Sequence, residues 1–140
     1  MDAHDKQQAP VSELLQSTPV PIAQLSPSLD NLPHNSVRGV VALLWPYSSS
    51  TRSISLLLAE PDFRLRRSGG QVRVVFHGPV AEEVAKSQVG IGDNVYLSLH
   101  GSRLTDNDPK VLTPGKSVAW DVHFETTVLV EVSETTENRK

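Results

Sequence analysis

No cysteine occurs among the 140 residues. That excludes a disulfide framework and every thiolate metal site. Long apolar runs are missing too: none reaches the roughly 18 residues that a membrane-spanning helix needs. The amino terminus, MDAHDKQQ, is polar and acidic, which is not the pattern of a signal peptide. An overall basic excess is also absent, the net charge being −3. Catalytic constellations are equally scarce. No Ser-His-Asp arrangement stands out, and Glu82 and Glu83 are adjacent and point apart on a short helix. None of the five histidines pairs with another at ligand spacing. Gly115-Lys116-Ser117 invites a phosphate-loop reading, but the glycine that motif needs five residues earlier is Lys110. The expectation is a chain that catalyses nothing and holds no metal or cofactor.

What is present suits one small domain built of strands. Apolar residues make up 38%, enough for a modest core, and ten prolines with eight glycines favour turns over a helical bundle. Residues 1–33 hold five of the prolines and read as a polar, partly disordered arm. Within it Val11 to Leu15 suit a single helical turn, and Ile22, Leu25 and Leu29 are the residues to lie against a core. Residues 34–132 read as the domain proper and 133–140 as a charged tail.

Within the domain the first strand runs from Ser36 to Trp45 and stops at Pro46, with Gly39 marking a bulge or bend. Pro46 to Thr51 is a loop. Ser53 to Ala59 forms a second strand with Ile54, Leu56 and Leu58 inward. Pro61 to Gly70 is a basic connection. Gln71 to His77 forms a third strand, with Val72, Val74 and Phe76 on one face. The period then changes to helical: Pro79 opens a helix, Ala81, Val84 and Ala85 share a face, and Glu82 and Glu83 stand in the first turn. Gly90 or Gly92 ends it. Asp93 to His100 alternates strictly, with Val95, Leu97 and Leu99 inward. Gly101 to Val118 reads as a long polar loop, and residues 120–132 as a closing strand with a break near Glu125. Five strands with one short helix between the third and fourth define an all-β, five-stranded OB-fold Greek-key barrel.

The charge is unevenly spread. Between His34 and Leu104 eight Lys or Arg face five Asp or Glu, a net +3, so the flanks together carry −6. A local positive patch on a molecule of modest net charge is enough to follow a phosphate backbone.

The stretches VRGVVALLWPYSSS (37–50), LLLAEPDFRLRRSGGQVRVVFHG (56–78) and GDNVYLSLHG (92–101) carry a family resemblance. Residues 36–101 resemble the telomeric single-stranded DNA-binding OB domain of the protection-of-telomeres family, in its filamentous-fungal form. TPGKSVAWDVHFE (113–125) is similar to that family's downstream segment. The resemblance implies G-rich single-stranded telomeric DNA as the partner, other telomere proteins as associates, and the nucleus, at chromosome telomeres, as the location.

An OB barrel binds single strands across its second and third strands, with loops closing over them. Rings stack on bases and cations neutralise phosphates. The nucleic-acid-binding candidates are therefore Trp45 and Tyr47 at the first corner, and Phe63, Arg64, Arg66 and Arg67 in the basic connection. Arg73 and His77 on the outward face of the third strand and Arg103 after the fourth complete the set. Trp45 also suits the core, His77 also suits an ordinary surface histidine, and Trp120 and Phe124 read as core. A second reading stays open: a protein-interaction or homodimerisation domain of a telomere or replication complex, using the outward apolar residues Leu57, Val75 and Leu129. The acidic flanks favour it.

Overall fold

A computed structural model describes residues 17–29, 32–66, 69–107, 117–125 and 130–133, with Phe63 and residues 130–133 described by their backbone alone. The strands are β1 (Thr18–Pro19), β2 (Asn35–Ser48), β3 (Ser53–Ala59), β4 (Gln71–His77), β5 (Asn94–Ser98), β6 (Ser102–Asp106), β7 (Ser117–Phe124) and β8 (Val130–Ser133). One α-helix among the described residues, α1 (Gly78–Lys86), separates β4 from β5. Seven strands follow one path, β6-β7-β4-β3-β2-β5-β8, and β1 pairs in parallel with β2 at its side.

The pairing explains the shape. β2, β3 and β4 form an antiparallel meander, β5 returns to the other edge of β2, and β7 lies parallel to β4. β8 then pairs with β5. β7 and β8 are successive stretches of chain at opposite ends of the sheet, so the sheet curls into a half barrel. This is the OB arrangement in outline, with the last strand split where the sequence breaks near Glu125. Seven strands on the path replace the expected five. One of the additions is β6, which the sequence disguised as part of a polar loop and which pairs antiparallel with β7.

Three local expectations are corrected. β2 continues through Pro46 to Ser48 instead of ending at Trp45. Its ladder is interrupted between Trp45 and Ser48, where proline's missing N–H costs no ladder bond. The glycine at 39 is not the bulge, since the irregularity nearest to it falls between Val41 and Leu43. Gly39 instead permits close approach: a Cβ there would stand 2.9 Å from the Leu58 Cβ and 3.0 Å from the Ala59 carbonyl oxygen. Helix α1 begins at Gly78, one residue before its proline, which moves Glu82 and Glu83 beyond its first turn. It ends at Lys86, and Gln88, not a glycine, takes the left-handed conformation after it, at φ 61°.

The inward residues anticipated on β3, β4 and β5 all lie in the core: Ile54, Leu56, Leu58, Val72, Val74, Phe76, Val95, Leu97 and, beyond the strand, Leu99. Phe76 and Phe124 stack with ring centroids 5.5 Å apart. Burial of this apolar surface is the main force holding the sheet curled. The two ends of β4 are covered differently. At one end Ala81 and Val84 of α1 enter the core. At the other, a 3-10 turn at Ile22–Gln24 packs against β2, β4 and β7. Ile22 and Leu25 there are 0% and 2% exposed. The buried Glu60 side chain accepts the Ile22 N–H at 3.0 Å, satisfying a backbone donor that no strand reaches.

Candidate functional site

Side chains of cross-strand partners share a face. On the outer surface of the curled sheet the register places Trp45, Ser55, Val75, His123 and Arg103 in one row across β2, β3, β4, β7 and β6. Leu43, Leu57, Arg73, Asp121 and Thr105 form the next row. Four of the nine nucleic-acid candidates, namely Trp45, Arg73, His77 and Arg103, therefore meet on one face, the face that an OB barrel uses.

Arg73 is the centre of this face. Its guanidinium carbon lies 5.1 Å from the centroid of the Trp45 ring. Nη1 donates to Asp121 Oδ2 at 3.2 Å and Nη2 to Ser55 Oγ at 3.3 Å. The ion pair is well shielded, at 24% exposure for the Arg73 side chain and 7% for that of Asp121. Trp45 is half-buried and the Arg73 guanidinium occupies one face of its ring, so the two side chains form one platform.

Beside it, His77 and His123 stack with ring centroids 5.1 Å apart. His77 Nε2 and His123 Nδ1 share a hydrogen bond of 2.9 Å, and His123 Nε2 bonds Thr105 Oγ1 at 2.9 Å. Burial holds the His123 pKa below its usual value. The nearby Arg103, His77 and Arg73 push the same way, and Glu125 opposes them. A neutral His123 has one ring nitrogen as donor and one as acceptor, and the Thr105 hydroxyl can complement either.

Arg103 stands on β6, not in a loop, and its guanidinium pairs with the Glu125 carboxylate. That pairing holds the Glu125 pKa below the ordinary carboxylate value. Both side chains are more than half exposed.

The remaining candidates lie apart from the face or outside the described residues. Tyr47 belongs to β2, not to a loop, and packs against the core. Arg64 is exposed and bound by Asp62, through Nε at 3.2 Å and Nη2 at 3.1 Å. This pairing lowers the Asp62 pKa and raises that of Arg64. Arg66 Nε donates to the Glu60 carbonyl oxygen. Arg67, the Phe63 side chain, Lys110, Lys116 and Leu129 lie outside the described residues. Leu57 and Val75, proposed as an exposed apolar interface, are 4% and 5% exposed. In the register Leu57 sits between Leu43 and Arg73, and Val75 between Ser55 and His123.

Sequence reasoning missed Ser55, Asp121, His123 and Glu125. A signal existed: reading residues 118–125 with period two puts Val118, Trp120, Val122 and Phe124 inward and Asp121, His123 and Glu125 outward. Their partners on β4 depend on a parallel pairing that no local pattern encodes. Among the described residues no three His, Asp or Glu side chains converge as metal ligands, and no helix is long and apolar enough to cross a membrane.

No curated protein matches the chain. Among solved structures, a small single-stranded DNA-binding protein from Streptomyces coelicolor is 15% identical, over 74% of this chain and 94% of its own, at a TM-score of 0.37. Likeness at that level decides nothing about the ligand, and the OB-like architecture rests on the strand pairing given above. Residues 16–140 match the model of a family described as a domain of unknown function, DUF8502, and the chain belongs to that family.

Proposed function

We propose that this domain binds single-stranded nucleic acid across the outer face of β3, β4 and β7. The observation that carries the reading is the Arg73 guanidinium held over the Trp45 ring on that face. A fixed aromatic and guanidinium pair offers a flat, cationic surface to a base, and base stacking is worth about 1–3 kcal/mol per base. The stacked His77 and His123 rings extend that surface along β4 and β7.

Exposed arginines on the face and beyond it reach phosphates by exchange. Arg103 with Glu125 and Arg64 with Asp62 are exposed pairs. Exposed pairs of this kind are weak because solvent and salt screen them, so a phosphate displaces the carboxylate at little cost. The resemblance of residues 36–101 to telomeric domains supports the finer proposal: the ligand is G-rich overhang DNA, bound in the nucleus at chromosome ends. Guanine presents two adjacent acceptors that suit an arginine fork. We also propose that the domain catalyses nothing.

The test is a titration of labelled G-rich and scrambled single strands at several salt concentrations, with Trp45→Ala and Arg73→Ala alongside. Two exchanged phosphates give a log–log salt slope of about −1.4 for single strands. Both variants bind at least about fivefold more weakly if they remove one stacked base. Absence of binding at low salt refutes the reading.

One observation favours a second reading, a protein-interaction domain. Arg73 and Arg103 each have a carboxylate partner, which leaves the face close to charge balance, and Leu43 at its edge is 49% exposed. A stable dimer in solution, with no affinity for single strands, would select that reading.

A further inference from the structure

A buried carboxylate in the middle of a face meant for a polyanion is unfavourable on Coulombic grounds alone. Asp121 is 5% exposed and lies in the row between Arg73 and Thr105. Its position requires a role that outweighs the repulsion.

We infer that Asp121 is a positioning residue for nucleic-acid binding, touching no ligand and acting by holding the Arg73 guanidinium flat on Trp45. The inference rests on the binding reading above. Arg73 is constrained from three directions: Asp121 Oδ2 at 3.2 Å, Ser55 Oγ at 3.3 Å and the Trp45 ring at 5.1 Å. Ser55 is a neutral acceptor on β3 and Trp45 offers only a ring face. Asp121 supplies the one bond in which donor and acceptor are both ionised, the strongest of the three contacts. Two of the five guanidinium donors are thereby spent inside the protein, and Nε is buried with no hydrogen-bond partner among the described residues. Arg73 therefore meets a ligand chiefly with its flat face. Without the Asp121 charge, a largely shielded guanidinium is left unpaired, and its long side chain swings out to water. The platform is then lost even though the face has become more positive.

That gives the inference a sign opposite to simple electrostatics. Asp121→Asn removes one negative charge at constant shape, so Coulomb attraction alone predicts tighter binding of single strands. The positioning role predicts binding weaker by about tenfold, close to the loss in Arg73→Ala. The experiment compares the full chain with Asp121→Asn, Arg73→Ala and the double variant, using one labelled G-rich single strand at fixed low salt. The intrinsic tryptophan emission of each free protein is recorded in parallel. If Asp121 acts through Arg73, the double variant binds no more weakly than Arg73→Ala, and free Asp121→Asn shows the same emission shift as free Arg73→Ala. Tighter binding by Asp121→Asn overturns the inference, as does an equal weakening in the presence and absence of Arg73. Should Asp121→Asn fail to fold, Arg73→Lys serves instead. It keeps a charge for Asp121 but loses the flat guanidinium, and unchanged affinity there overturns the inference. Failure of the unmodified chain to bind any single strand sinks the parent reading and this one together. Binding by the unmodified chain with Asp121→Asn tighter sinks this one alone.

Discussion

Replacing Ile22 by alanine tests whether the amino-terminal turn is part of the core. The Ile22 side chain is 0% exposed, on a turn packed against β2, β4 and β7. The substitution deletes three carbon atoms, worth about 2.4 kcal/mol at roughly 0.8 kcal/mol per buried carbon. A cavity term adds to this, because β4 and β7 are hydrogen-bonded to each other and cannot close over the gap, which brings the cost to about 3–4 kcal/mol. For a chain of this length the melting temperature falls by about 10 °C. Urea unfolding followed by tryptophan fluorescence and far-UV circular dichroism reads the change as a lower midpoint at constant slope. The hydrogen bond beneath the turn separates out with a second pair of variants. Glu60→Gln keeps an acceptor for the Ile22 N–H, whereas Glu60→Ala orphans that buried donor at about 1–3 kcal/mol. A cost below about 1 kcal/mol for Ile22→Ala would refute the argument. The turn would then be a loose cover, and the outer face would owe nothing to it.

Other consequences are as direct. The folded chain resists protonating His123, while the unfolded chain takes up that proton as pH falls through the ordinary histidine value of 6.5. Stability is therefore full above that value and declines as pH falls below it, and melting curves of His123→Asn should lose this part of the pH dependence. A second decline belongs to Glu125 below about pH 4.5, since its folded pKa is lowered by Arg103. Gly39→Ala forces a Cβ to 2.9 Å from the Leu58 Cβ, and the denaturant midpoint should fall by the equivalent of about 1–3 kcal/mol. Glu125→Gln frees Arg103 from a competing carboxylate, so it should tighten single-strand binding about two- to threefold in the same titration, the opposite sign from Asp121→Asn.

Much of the architecture was legible because the residues obey one period at a time. β3, β4 and β5 each carry a large apolar residue at every second position, and the switch at Gly78 to helical spacing marks α1. The strand ends were less legible. Pro46 reads as a terminator, yet at a ladder irregularity it is harmless, and β2 passes through it. β6 was missed because Ser102–Asp106 carries one large apolar residue, Leu104, and becomes a strand only by pairing with β7. Local pattern cannot report a strand whose stability is supplied by its neighbour.

The site shows the same limit more sharply. The ring and cation types named from sequence were the right kinds, and Trp45, Arg73, His77 and Arg103 do share a face. Their partners come from residues 121–125, as far as 48 positions away in the Arg73 to Asp121 pair. The net +3 counted over residues 34–104 treated the acidic flank as a tail. In the fold that flank includes β7, whose outward residues Asp121 and His123 are followed by Glu125 just past its end, beside the basic residues of β4 and β6. A charge count along the chain holds only while the opposite charges lie elsewhere in space, and a parallel strand laid between them cancels it. Any affinity of this face for a polyanion must therefore come from flat surfaces and from exposed ion pairs that exchange. The buried pair of Arg73 and Asp121 stays intact and sets where the flat surface lies.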